Sequence, residues 1–103
     1  MTFAIFDPDA RAEFLDAVRY YEECQEGLGR RFRTAIETAA KHILKNPFLY
    51  RKIRAPFRRY LLNKFPYSLI YSIEHDHIHI IAVAHNKRRP GYWRKRFADS
   101  SET

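Results

Sequence analysis

The sequence predicts an α+β domain of order β-α-α-β-β-β, with a helical hairpin packed on one face of a mostly antiparallel sheet. Three observations carry that prediction. Apolar residues recur at helical spacing in two stretches between residues 10 and 43. Three aromatic and β-branched runs follow between residues 58 and 85. Proline, glycine and polar clusters punctuate the rest, so helices come first and the main strands later, a segregation typical of α+β folds. With 103 residues, 46% of them hydrophobic and 16% aromatic, the chain is long enough for one core and no more. Residues 1–103 therefore read as one domain, with 97–103 ("FADSSET") a frayed polar end.

The first element is "TFAIF", a short aromatic and β-branched strand. It stops at "DPDA", where Asp7 suits the N-cap, Pro8 the first helical position and Asp9 the positive end of the helix dipole. Ala10, Phe14, Ala17, Val18, Tyr21 and Cys24 then form one apolar helix face. Gly27 and Gly29 separate this helix from a second, with Phe32, Ile36, Ala39, Ala40 and Ile43 on its apolar side. The second helix ends near Asn46, because Pro47 disfavours helical geometry in the residue before it. So short a link predicts a hairpin of two antiparallel helices. "PFLYRKIRAPF", with a proline near each end, reads as a connecting loop. The strands "RRYLLNKF", "YSLIYSIE" and "HIHIIAVAH" complete the sheet, broken at Pro66 and at the polar turn around residues 74–77. A short basic tail or helix follows, bordering the sheet face that the helices leave open.

Charge is distributed unevenly. The formal net charge is +7, but residues 1–50 carry seven Lys/Arg against eight Asp/Glu, while residues 51–103 carry twelve against four. A positive field confined to one half attracts polyanions: nucleic acid, acidic protein segments or anionic surfaces. Tyr50, Tyr60, Tyr92 and Trp93 are interleaved with that basic set, and flat rings among cations suit unstacked bases and phosphates. The single cysteine fits a reducing compartment, and neither a signal-peptide start nor an apolar run of about 20 residues is seen. A cytoplasmic protein, without membrane association or small-molecule cofactor, is expected.

Few residues offer chemistry. His75, His77 and His79 alternate, but a zinc site needs three or four ligands with supporting partners, so they read as a polar strand end and no metal site is expected. His85 ends the apolar strand just before "NKRRPGYWRKR". Its imidazole titrates near neutrality and could move protons in RNA cleavage, with Tyr92 and neighbouring arginines such as Arg88 as partners. The alternative is a histidine that merely ends the strand. Glu22, Glu23 and Glu26 read as a solvated helix face. No phosphate-cradling glycine motif and no nucleophile elbow occur, and Cys24 falls on the apolar helix face.

From Ala10 to Arg96, through "YYEECQEGLGRRF", "NPFLYRKI" and above all "FPYSLIYSIE…IHIIAVAH…R", the sequence resembles the RelE/ParE superfamily of bacterial type II toxins, the plasmid-stabilisation type. That resemblance implies a growth-arresting toxin neutralised by a cognate acidic antitoxin. RelE-like members are mRNA interferases that cleave mRNA on the ribosome; ParE-like members inhibit DNA gyrase and are not nucleases. Carried onto this chain, the nuclease reading makes His85, Arg88 and Tyr92 catalytic. Arg59, Lys64, Lys87, Arg89, Trp93 and Arg96 would then bind nucleic acid or another target. Two positions depart from the nuclease pattern, Ser68 and Leu61 standing where basic residues are expected. A third possibility is a degenerate member that binds only its antitoxin or nucleic acid.

Overall fold

The computed structural model describes residues 3–96. Its elements are β1 (Ala4–Phe6), α1 (Pro8–Cys24), α2 (Leu28–Lys45), β2 (Arg51–Arg54), β3 (Phe57–Leu61), β4 (Tyr67–Ile73) and β5 (Ile78–His85). The five strands form one sheet in the order β1-β5-β4-β3-β2. Only β1 against β5 is parallel; the other pairings are antiparallel. The α+β prediction holds, with one strand more than expected. The frayed end anticipated at residues 97–103 lies outside the described residues.

That extra strand corrects the loop assigned to "PFLYRKIRAPF". Arg51 and Lys52 pair with Arg59 and Arg58, and the ladder slips between Lys52 and Arg54. All four β2 residues are exposed. The strand exists through main-chain pairing alone, so it has no apolar alternation from which to be recognised. It lies at the sheet edge, where a short, cationic strand discourages pairing with other chains.

The helix hairpin forms for the anticipated reasons, with two refinements. Asp7 is 6% exposed, and its carboxylate accepts from the Asp9 N–H at 3.0 Å. Its own N–H donates to Ile80 O at 2.8 Å, which ties the start of α1 to β5. Between the helices, Gly27 adopts φ 86°, a left-handed conformation costly for residues with a Cβ. Glu22 is not merely solvated: its two carboxylate oxygens accept from Gly27 N–H and Gly29 N–H, each at 3.0 Å. It therefore satisfies free donors at the start of α2, where no side-chain cap is present. Gly29 is the close-approach point, since a Cβ there would lie 2.7 Å from Val18 O. Cys24, expected on the apolar face, is exposed because α1 ends there and has passed the edge of the core.

The main core lies between the helices and the sheet. Phe32, Ile36 and Ile43 of α2 and Leu69, Tyr71, Ile78 and Ile80 of the sheet are at most 1% exposed. Each large apolar side chain so buried contributes roughly 1.5–3 kcal/mol before entropic costs. A smaller cluster occupies the opposite sheet face: Phe57, Ile70, Ile81, Ala82 and Ala84, covered by Trp93. Both faces of β5 are thus buried, as its unbroken apolar run requires. A shift in the β4–β5 register, between Ile70↔Ala82 and Tyr71↔Ile80, leaves Ile81 as an extra residue that turns to the second cluster.

Candidate functional site

Part of the basic half of the chain gathers at the face of the sheet remote from the helices. A cleft of about 170 Å³ there brings together Arg59, His85, Arg88, Arg89, Tyr92 and Trp93, with Ser68 and Asn86. The sheet explains the grouping. Ser68 pairs with Leu61 and with Ala84, which places β3, β4 and β5 side by side at this point, and the turn after β5 brings residues 86–93 back over them. Lys64 lies elsewhere, on a groove beside α2. Lys87 is exposed, and Arg96 packs against α1 at the edge of β5.

Contacts within the cleft are specific. Arg59 Nε donates to Ser68 Oγ at 3.0 Å, and Ser68 Oγ–H donates to Asn86 Oδ1 at 2.7 Å. A longer contact of 3.4 Å joins Arg59 Nη2 to the same Asn86 oxygen. Ser68 is 1% exposed, so the position where a nuclease arginine is expected instead holds a small buried hydroxyl that orients Arg59. His85 Nδ1 accepts from Lys87 N–H at 3.1 Å, and its ring meets Tyr67 edge-on at 5.1 Å. With Nδ1 acting as acceptor, the neutral ring carries its proton on Nε2. Its geometry is that of a residue closing the strand end.

Trp93 corrects an expectation. It is 5% exposed and packs edge-on against Phe57 with centroids 4.6 Å apart, so its ring belongs to the second core and has no face to offer a base. The sequence placed it among basic residues, but the turn through Gly91 (φ 78°) rotates it inward.

Glu13, on α1, organises the remaining candidates. Strand β1 stops opposite Ile80, so beyond that point β5 has lost its neighbour on that edge. Glu13 Oε1 accepts the Val83 N–H at 3.0 Å, and Arg96 Nη1 donates to Ile81 O at 3.1 Å. The two side chains join in a bidentate pair at 2.9 Å per contact. Each side chain is 15% exposed. They replace a missing strand, closing the edge of β5 with charge-assisted hydrogen bonds. Tyr92 Oη–H donates to Glu13 Oε2 at 2.5 Å, and the Arg88 guanidinium stacks on the Tyr92 ring at 3.7 Å while lying 3.5 Å from the same carboxylate. Burial, then the hydrogen bond to the Glu13 carboxylate, push the Tyr92 hydroxyl well above the ordinary tyrosine range. Arg96 is held charged, its pKa raised first by its hydrogen bonds to Glu13.

No signal singled out Glu13 in the sequence, where it reads as one acid on a polar helix face. Asn86 was likewise unmarked, and Glu22 was read only as part of a solvated helix face. Two other histidines have local partners: His77 Nδ1 meets Asp76 at 2.8 Å and its ring stacks on Phe3, while His79 Nε2 lies 3.6 Å from Asp7.

The geometry is that of a small basic α+β module, a helical hairpin on a sheet whose far face carries a cationic cleft. This is the toxin-type architecture that the sequence resembles. The family described as "ParE toxin of type II toxin-antitoxin system, parDE" matches residues 4–90, and the chain belongs to that family. Among solved structures, a chain of the chromosomal ParDE toxin–antitoxin system from P. aeruginosa shares the fold with a TM-score of 0.59. Identity is 12%, over 82% of this chain and 95% of that one. No curated protein sequence matches. Among the described residues, no helix is long and apolar enough to cross a membrane.

Proposed function

We propose that this toxin arrests growth by binding DNA gyrase rather than by cutting RNA, and that an acidic antitoxin neutralises it. The observation that carries this reading is the hold of Glu13 on Tyr92, Arg88 and Arg96. A general acid for RNA cleavage is most effective when its pKa lies near the operating pH. Tyr92 is shifted the other way, and its proton already points at a carboxylate. Arg96, one arginine that could offset phosphorane charge, is paired bidentately with Glu13 instead, and Arg88 lies 3.5 Å from the same carboxylate.

Three further features agree. Ser68 removes a cation from the cleft centre, Trp93 offers no stacking surface, and a 170 Å³ cleft is below the roughly 300 Å³ at which ligand pockets begin. The basic half would act through its field, steering the toxin to an acidic protein surface. His85→Ala tests the choice. A binder keeps arresting growth when His85 is lost. If arrest disappears while the variant melts like the parent and mRNA cuts vanish with it, the nuclease reading replaces this one.

A further inference from the structure

We infer that the cleft on the far sheet face seats one carboxylate side chain of the toxin's protein target, with Arg59 as the cation that takes it. The inference rests on the gyrase reading above and names the chemistry of contact at that site. Arg59 is half-buried, yet its partners are neutral: the Ser68 hydroxyl and the Asn86 amide oxygen. Among the described residues no carboxylate lies within ion-pair distance of it, and no acidic residue lines the cleft. Taking charge out of water without a counter-charge costs stability, and such local rule-breaking is retained where an outside group completes the pairing.

The guanidinium is presented for that pairing. Ser68 holds it by the inner nitrogen, Nε, at 3.0 Å. Of the outer nitrogens, Nη2 makes one long contact of 3.4 Å and Nη1 makes none among the described residues. A carboxylate can therefore meet both outer nitrogens side by side, the strong bidentate form of this pair. Buried Ile70, Ala84 and Trp93 line the same cleft, and apolar walls strengthen a charge pair by thinning the water around it.

Size and surroundings favour a protein side chain over nucleic acid. The cleft's 170 Å³ is the space of about six waters at roughly 30 Å³ each, room for one acidic side chain and little more. A nucleic-acid strand brings repeated phosphates and bases that need stacking surfaces. Trp93 is buried, and the Tyr92 ring is already met by Arg88 at 3.7 Å and Arg96 at 5.1 Å. Arg88 is also drawn toward Glu13, which leaves Arg59 as the positioned cation. One held guanidinium suits one charge.

Asn86→Asp gives the sharpest test on the purified full-length protein. Aspartate keeps the acceptor that Ser68 and Arg59 use and fills the seat with an internal carboxylate. It should melt no lower than the parent, yet need about 30-fold more protein to inhibit gyrase supercoiling, as should Arg59→Leu. Asn63→Asp, exposed in the turn after β3, adds the same charge and should alter potency less than about twofold. Binding is read directly by nuclear magnetic resonance with N-acetylglutamate methylamide, its glutamine counterpart serving as control. The Arg59 Nε–H signal should shift with the glutamate probe, half-saturating at about 10 mM, in the parent and not in Asn86→Asp. Equal shifts with both probes, or full potency of Asn86→Asp, overturns the seat. Melting of Asn86→Asp below the parent overturns the claim that Arg59 lacks a counter-charge. New mRNA ends that vanish with Arg59→Leu give the cleft to RNA and overturn the protein occupant. Probe binding by a parent that leaves supercoiling untouched keeps the seat and removes the gyrase reading; supercoiling loss without probe binding does the reverse.

Discussion

Glu13 and Arg96 should behave as one unit, and a double-mutant cycle makes the expectation quantitative. Glu13→Ala leaves the Val83 N–H and the Tyr92 hydroxyl without their acceptor, and Arg96 without its bidentate partner. A buried donor left unsatisfied costs about 1–3 kcal/mol, and a partly buried charge stripped of its partner costs a similar amount or more. The expected loss is about 3–4 kcal/mol, a large part of the 5–15 kcal/mol that typically holds such a domain together. For this size it corresponds to a fall in melting temperature of roughly 12–25 °C. Arg96→Ala frees Ile81 O and the same carboxylate, and should cost about 2–3 kcal/mol. Because the two share one interaction, the double variant should lose about 1.5–3 kcal/mol less than the sum of the singles. Urea unfolding followed by far-UV circular dichroism gives all four corners. Additive losses, or a Glu13→Ala cost below about 1 kcal/mol, would refute the claim that the pair closes the edge of β5.

Other consequences can be read with simple measurements. Gly29→Ala should destabilise the hairpin by about 2 kcal/mol, because its Cβ meets Val18 O at 2.7 Å and only main-chain movement relieves it; a melting temperature equal to the parent's would contradict this. Burial raises the Tyr71 hydroxyl to about 12, so the folded state keeps a proton that the unfolded chain releases near pH 10. Stability from this group is fully present below pH 10 and lost as pH rises toward 12, Tyr92 acting in the same sense. Tyr71→Phe should flatten the alkaline limb of a stability-against-pH curve while costing about 1 kcal/mol at pH 7, through loss of the 2.7 Å bond to Pro47 O. Trp93→Ala should cost about 3–5 kcal/mol as a core residue; a stable variant would return Trp93 to the surface role first expected of it.

What the sequence disclosed follows what kind of interaction built each part. The helices were legible because burial at Ala10, Phe14, Ala17, Phe32 and Ile36 imposes a period, and Asp7-Pro8 announces a helix start in side-chain chemistry. Strands β4 and β5 were legible for the same reason. Strand β2 escaped because its four exposed residues satisfy only main-chain pairing. The cleft was half legible. Arg59, His85, Arg88 and Arg89 do converge, since the basic run directly follows a buried strand. Glu13 could not be seen, because its importance comes from β1 ending three residues short of Val83, a fact of topology 70 residues away in the chain. Trp93 was misplaced because composition ranks a tryptophan among arginines as a surface ring, whereas the Gly91 turn carries it onto Phe57.

The central claim is that the cleft is a held, structural arrangement and that this toxin works by binding gyrase. Purified protein titrated into a DNA gyrase supercoiling reaction tests it most directly, with primer extension on translated mRNA from induced cells run beside it. The account predicts loss of negative supercoiling at toxin concentrations near that of the enzyme, and transcripts without new ends. Unchanged supercoiling at saturating toxin, with fresh cuts between codon positions, would contradict it.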